Sequence, residues 1–286
     1  RKQGMFGMSI ITTNDDRSYQ TASRIKTAGA VLAGCGAYAA TCLAQSSLAQ
    51  YVPDKISKIS QSCDNAALNK GIDEAFDNFK LKTKDVKIKG VNENTRIDNP
   101  FENLPKWLQR QLSPIVDTKE GKNAFYAPLA KEIYINKEKC GVLAFHEMGH
   151  AVNHNFSKFG KVLQQLRFPC MALGGLFGTV ALLKRKKVEG EEPNGILDKT
   201  TTFIKNNVGK LTFGIFVPIV AEELMATYRG NKMAKKVLSP EMFKKIQLAN
   251  KFGAISYVTT ALAMPLAAVA ASKVRDAIAK PKGIVD

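Results

Sequence analysis

Histidine is scarce in this 286-residue chain, which has three, and all of them lie between Cys140 and His154. Cysteine offers little for metal binding, because the five cysteines are odd in number and include no C-x-x-C pair. That pattern argues against a disulfide framework and against a cysteine zinc site. A zinc site in this chain therefore has to draw on the one short stretch that holds the histidines.

Acidic residues are outnumbered, 25 against 42 basic ones, and the formal net charge is +17. A nucleic-acid-binding protein would carry its basic residues on a recognisable module or interleave them with aromatic residues, and neither pattern is present. We therefore predict no nucleic-acid partner. Many lysines and arginines lie directly beside apolar runs, which favours attraction to anionic lipid headgroups instead.

Charge is missing from three long runs, residues 27–53, 168–183 and 252–272, and from a shorter apolar run at 211–221. A helix needs about 20 apolar residues to cross a bilayer, so the first and last runs are long enough and the second is a short crossing. A buried helix of a soluble protein is the alternative for the first run. Together the runs predict an integral protein of the cell (plasma or inner) membrane, and they leave its orientation and oligomeric state open.

The segments between the runs have the composition of a soluble module. Residues 64–80 show the 3–4 spacing of an amphipathic helix, and residues 84–91 alternate like a half-buried strand. Ile133 and Ile135 alternate with polar neighbours just before the histidines and predict another strand. The expected fold is α+β and mostly helical, with a small module attached to three or four transmembrane or membrane-associated helices.

The chain divides into consecutive segments that differ in charge and apolar content. These are a polar leader, 1–26; a first apolar helix, 27–50; the α+β module with the histidines, 51–167; an apolar hairpin, 168–228; a basic connector or helix, 229–252; and a last apolar helix with a basic tail, 253–286.

The histidine stretch contains the pattern H-E-x-x-H. On a helix, positions four residues apart lie on the same face, so His146 and His150 can bind one metal ion. Glu147 is about 100° further round the helix and can reach a water on that ion without being a ligand. In zinc peptidases of this pattern the glutamate is the general base. The spacing therefore predicts one Zn²⁺ ion and a hydrolytic reaction.

Zinc in a peptidase usually takes three protein ligands, and the residues alone leave several candidates for the third. His154 lies about 12 Å along a straight helix from the first histidine, and Asp198 lies in a charged segment. Glu222 and Glu223 follow an apolar run, where buried carboxylates need a compensating cation. Neighbouring helical residues point about 100° apart, so one glutamate can bind the metal while the other pairs elsewhere, for instance with Arg229.

Motifs in a fixed order resemble the membrane gluzincin peptidases, which include HtpX-like and CAAX-prenyl-protease-like proteins and the related YugP-like neutral zinc peptidases. The motifs are NAFYAP with an I-x-I strand, then HEMGHA, then ELMAT at 223–227 after two apolar segments. The resemblance covers residues 120–232 and implies a zincin-like module. It implies that His146, His150 and Glu223 hold zinc and that Glu147 activates water. Where the family has Asp or Ser, this chain has Thr227, which is closer to the YugP-like branch.

The resemblance and the H-E-x-x-H pattern predict a membrane-anchored zinc metalloendopeptidase that acts on protein or peptide substrates near the membrane surface. Two alternatives remain, a site-2-type intramembrane protease that uses Asp198 and a non-catalytic membrane scaffold that keeps the peptidase fold. Residues expected to support the ligands or to stabilise the transition state are Thr227, Glu222, Arg229 and Tyr228, with Tyr126 as a further candidate. Residues expected to form an edge strand for the substrate are Asn123, Phe125, Ile133 and Ile135. An ordinary core strand is the alternative for this stretch.

Overall fold

The computed structural model describes residues 12–97, 103–105, 109, 113–187 and 192–278. Within these residues the fold is mostly helical α+β with one small mixed sheet, which agrees in outline with the expected class. Residues 1–11 of the predicted leader and residues 279–286 of the predicted tail lie outside the described residues.

Long helices account for most of the structure. The helices are α1 (Thr12–Gln61), α2 (Asn65–Asn78), α3 (Ile115–Glu120), α4 (Lys137–Cys140), α5 (Ala144–Phe156), α6 (Lys158–Leu183), α7 (Gly195–Val237) and α8 (Pro240–Ile278). The strands are β1 (Lys87–Gly90), β2 (Ala124–Ala127) and β3 (Glu132–Ile135). Helix α1 begins inside the predicted polar leader and continues past Pro53, so the apolar run is the middle part of a longer helix.

The sheet has the strand order β1-β3-β2. Strand β3 pairs in parallel with β1 and antiparallel with β2, and both Ile133 and Ile135 are fully buried. The prediction that these two isoleucines belong to an edge strand is therefore wrong, because β3 has a partner on each side. Strand β2, which carries Phe125, is an edge strand among the described strands.

The protein consists of two compact units, each formed from segments that are distant in the sequence. The larger unit is formed from residues 44–172 and 215–262. Its core contains Phe145 and Met148 of α5, which are fully buried together with Leu68 of α2 and Ile133 of β3. Helix α5 is therefore packed against other side chains over most of its length, and His146, Glu147, His150 and Asn153 are buried with it.

The smaller unit is formed from residues 1–43, 173–214 and 263–286. The Lys205 ammonium is buried in it, pairs with Asp276 at 3.0 Å and donates a hydrogen bond to the carbonyl oxygen of Ala181 at 2.7 Å. Ion pairs of this kind satisfy charges that would be costly to bury alone.

Two of the described helices, α6 and α8, are long and apolar enough to cross a membrane. Only 17% and 29% of their most apolar stretches are buried, unlike the core helix of a soluble protein. Three or four such helices were predicted. The runs at 27–50 and 211–221 are not among the helices that qualify within the described residues.

Candidate metal centre

Helix α5 buries three of the predicted site residues. His146, Glu147 and His150 are 6%, 5% and 7% exposed. Burying ionisable side chains is costly unless they are paired or bind a metal, so their partners determine what the site can do.

Helices α5 and α7 touch backbone to backbone. A Cβ atom at Gly149 would lie 2.1 Å from the carbonyl oxygen of Ala226, and one at Gly230 would lie 2.5 Å from the carbonyl oxygen of Phe145. Only residues without a side chain allow two helices to approach this closely. The contact gives a physical reason for the glycine in HEMGHA, because it brings that motif against ELMAT.

Glu223 completes a group of possible ligands with the two histidines. The Nε2 atoms of His146 and His150 are 3.0 Å apart, and Glu223 Oε2 lies 3.2 Å from the first and 3.3 Å from the second. Among the described residues, this is the group of histidine and acidic side chains found able to hold a metal ion.

The donor set fits zinc. Tetrahedral zinc with bonds of about 2.0–2.2 Å keeps its ligand atoms about 3.3 Å apart, close to the separations of 3.0–3.3 Å observed here. Burial lowers the pKa of His150, but Glu223 and Glu222 raise it more, and the net pKa is well above its ordinary value. The surroundings therefore favour positive charge at this point, and a divalent cation would supply it.

The outer nitrogen of each imidazole has a separate partner. His150 Nδ1 lies 2.9 Å from Glu222 Oε1, and His146 Nδ1 lies 3.2 Å from Thr227 Oγ1. An ionised carboxylate can only accept, so His150 Nδ1 carries a proton and donates a hydrogen bond to Glu222, and Nε2 is the nitrogen that would bind a metal. Metal-ligating histidines usually have such support from their surroundings.

Glu222 Oε1 accepts two further hydrogen bonds, from Asn153 Nδ2 at 2.9 Å and from Gln164 Nε2 at 2.8 Å. Gln164 Oε1 lies 3.1 Å from His154 Nδ1. His154 is therefore not part of the three-residue group. Its hydrogen bond orients the Gln164 side chain, and Gln164 in turn donates a hydrogen bond to Glu222, the partner of His150.

Arg167 of α6 pairs with Glu223, with 2.8 Å between Nη1 and Oε1. Arg229 was suggested as the partner of the glutamate that does not bind the metal. In the structure burial lowers the pKa of Arg229, and the charge of Glu222 raises it. The sequence offered only a weak signal for Arg167, which is the last charge before the apolar run at 168–183.

Glu147 lies beside the three-residue group and borders two cavities. The backbone N–H of Tyr126 on β2 donates a hydrogen bond to its carboxylate. Burial raises the pKa of the Glu147 carboxyl above its ordinary value, although His150 and His146 lower it. A carboxylate with a raised pKa is a better proton acceptor near neutral pH.

The larger cavity, of about 320 Å³, runs along strand β2. Asn123 and Phe125, two of the residues predicted for a substrate strand, line it together with Glu147 and Arg167. The cavity thus joins the edge strand to the metal group.

Tyr257 of α8 was not foreseen from the sequence. Its ring stacks on the imidazole of His146, with 6.3 Å between the ring centroids and 17° between the planes. Arg167 donates a hydrogen bond to its hydroxyl, and Tyr257 lines both cavities with Glu147. The only available signal was a polar aromatic residue inside an otherwise apolar run.

The remaining candidates lie elsewhere. The Asp198 carboxylate pairs with Lys184 and Lys187 and is not part of the metal group, so the site-2-type alternative has no structural support. Tyr228 is 67% exposed. Tyr126 is buried, and its hydroxyl accepts a hydrogen bond from Asn155 Nδ2 at 3.0 Å.

No protein-family model, curated protein or solved structure matches this chain.

Proposed function

We propose that this chain is a membrane-bound zinc metalloendopeptidase of the gluzincin type. The observation that carries the proposal is the buried group of His146, His150 and Glu223, with Glu147 beside it at the border of a cavity. The order of the gluzincin-like motifs supports the same function.

The roles of the side chains follow from their positions. Zinc bound by His146, His150 and Glu223 would act as a Lewis acid on the substrate carbonyl and would lower the pKa of a water molecule. The Glu147 carboxylate accepts a proton from the attacking water and delivers it to the nitrogen of the leaving amine. Its hydrogen bond from the Tyr126 N–H keeps it oriented for both transfers.

Two donors that line the larger cavity complete the mechanism. Negative charge develops on the carbonyl oxygen as water adds, and preorganised donors stabilise it strongly in a buried site. Tyr257 and Arg167 both line the larger cavity. We assign the phenol of Tyr257 as the donor to this oxygen, and Arg167 as the residue that orients Tyr257 and Glu223.

The edge of β2 is suited to an extended peptide. Residues 123–126 border the larger cavity, and β3 covers only one side of β2. An incoming segment can add to such an edge through backbone hydrogen bonds, which do not depend on its sequence. Protein or peptide substrates in an extended conformation fit this arrangement.

Helices α6 and α8 support a membrane location. Large apolar side chains on α6 are exposed, among them Phe168, Met171 and Leu176 at 80%, 57% and 53%. Exposed apolar surface of this kind is typical of contact with lipid or with another protein. We propose that the chain is an integral protein of the cell membrane and has no nucleic-acid partner.

The variant Glu147→Gln tests the proposal directly. It keeps the shape of the side chain but cannot accept a proton, so the purified protein should retain stoichiometric zinc and lose cleavage of an unfolded test protein by about 10²–10⁴-fold. Zinc content measured by metal analysis and cleavage rate form the readout. Full activity in Glu147→Gln would contradict the mechanism, and a zinc-free wild type that cannot be loaded would contradict the metal site.

A further inference from the structure

A second, smaller cavity borders the same glutamate. It has a volume of about 130 Å³ and shares Glu147 and Tyr257 with the larger cavity. Its apolar walls include Val52, Ile56 and Leu143, each no more than 8% exposed. A peptide with its scissile bond at Glu147 therefore has one cavity along β2 and a second, mainly apolar one adjoining it.

The small cavity also contains an unsatisfied polar group. Asn250 lines it and is 2% exposed. Its Nδ2 donates to Asn231 Oδ1 at 2.7 Å, whereas its own Oδ1 is buried without a hydrogen-bond partner. Buried acceptors without a partner are rare and costly in native proteins. Because this oxygen exposes almost no surface, it lies within the wall of the cavity and not on its open face.

We propose that the small cavity is a specificity site for one apolar side chain next to the scissile bond. The proposal rests on the peptidase function above and names the class of substrate. A dry cavity of about 150 Å³ holds a benzene molecule, so this one accepts a side chain of about the size of leucine or phenylalanine. Lys122 also lines this cavity, so a basic side chain would meet a like charge there.

Gly253 allows the cavity to be filled without disturbing the surrounding protein. It lines the cavity, and a Cβ atom built there has no neighbour within 4 Å. The variant Gly253→Leu places a side chain in the space assigned to the substrate, and Gly253→Ala fills less of it. The matched control is Gly214→Leu, at a helical glycine on α7 that also has no neighbour within 4 Å and does not line the cavity.

The experiment uses the full chain loaded with zinc in detergent micelles. Peptides that differ only in one residue, Ala, Leu, Phe, Glu or Lys, on either side of the scissile bond are compared by kcat/KM. On one of the two sides, the wild type should prefer Leu or Phe over Ala by about tenfold or more and should discriminate against Lys. Gly253→Leu should bring the Leu-to-Ala ratio close to one, Gly253→Ala should give an intermediate ratio, and Gly214→Leu should keep the wild-type ratio.

The outcomes separate this inference from the proposed function. Zinc content is measured for every variant, and Gly253→Ala decides the matter if Gly253→Leu does not fold. A Leu-to-Ala ratio that Gly253 variants leave unchanged, with the wild type active, overturns the specificity site and leaves the peptidase function intact. A zinc-loaded wild type that cleaves none of the peptides or the unfolded test protein overturns both.

Discussion

At the scale of single residues, the two adjacent glutamates of α7 have different tasks. Glu223 faces the Nε2 atoms of both histidines, whereas Glu222 accepts a hydrogen bond from Nδ1 of His150. Both carboxylates are almost fully buried, at 1% and 2% exposure. Each therefore needs its partners to offset the cost of burying its charge. Removing one or the other should therefore have distinct effects on metal binding.

We expect Glu223→Ala to lose bound zinc, since it removes a direct ligand. Glu222→Ala should keep a weakened site, because the loss of a partner behind a ligating histidine typically lowers metal affinity by about 10–100-fold. Zinc affinity is measured by competition with a chelator, and Glu74→Ala, at an exposed position on α2, is the control with wild-type affinity. Zinc retained in Glu223→Ala but lost in Glu222→Ala would reverse the assignment.

Tyr257→Phe should reduce kcat by about 10²-fold, which is typical of removing one donor to a developing oxyanion. Zinc content and KM should stay close to those of the wild type, because the phenyl ring still packs on His146. The control is Tyr228→Phe, which alters an exposed tyrosine on α7 and should leave kcat unchanged. A Tyr257→Phe protein with wild-type kcat would assign the donor role elsewhere.

The sequence predicted some of these residues and missed others for a physical reason. His146, Glu147 and His150 follow from spacing along one helix, and helical geometry is local. Arg167 and Tyr257 reach the site from α6 and α8, so their positions depend on how distant helices pack. Neither residue belongs to a motif that spacing alone could reveal.

At the scale of secondary structure, the site depends on the close contact of α5 with α7. Gly149 and Gly230 allow that contact because a side chain at either position would collide with backbone atoms. Backbone atoms cannot move aside in the way that the end of a flexible side chain can. The distance between the histidines and Glu223 is therefore set by these two glycines.

Gly149→Ala tests this dependence. Its methyl group would lie 2.1 Å from the carbonyl oxygen of Ala226, so the two helices must separate. We expect this to lower the free energy of unfolding by about 1–3 kcal/mol and to weaken zinc binding. Gly214→Ala is the control, since its Cβ meets nothing within 4 Å; it should stabilise the helix by about 0.5–1 kcal/mol. Denaturation curves of the zinc-free variants and their zinc affinities provide the comparison. Equal stability of the two variants would mean that the helices can part without loss.

The order of the strands in the sheet could not be predicted from the alternation of apolar residues. Alternation correctly indicated a strand at Ile133 and Ile135, and both point into the core. Alternation gives the faces of a strand but not its neighbours, and β1, which lies far upstream, takes one side of β3. The edge next to the site among the described strands is β2 for that reason, so of the predicted substrate residues only Asn123 and Phe125 lie at that edge.

At the scale of the whole molecule, charge and apolar surface point to two kinds of membrane association. The net charge of +17 favours electrostatic attachment to anionic headgroups, whereas α6 and α8 have the length and composition to enter the hydrocarbon. Electrostatic attachment is screened by salt, and burial of apolar helices is not. A protein that stays in the membrane fraction at high salt and leaves it only in detergent is held by its helices.

A charge in the middle of the apolar part of α6 distinguishes the two kinds of association most sharply. Leu176→Lys places a lysine at the centre of the run 168–183, at a cost of about 2.5–3.5 kcal/mol for insertion into a bilayer. Phe159→Lys adds the same charge at another exposed position of α6, 65% exposed and outside that run. We expect Leu176→Lys to lower the fraction of chains that resist alkaline extraction, and Phe159→Lys to leave that fraction unchanged. If α6 lay in water, both lysines would be tolerated equally; equal extraction of the two variants would therefore exclude α6 as a membrane span.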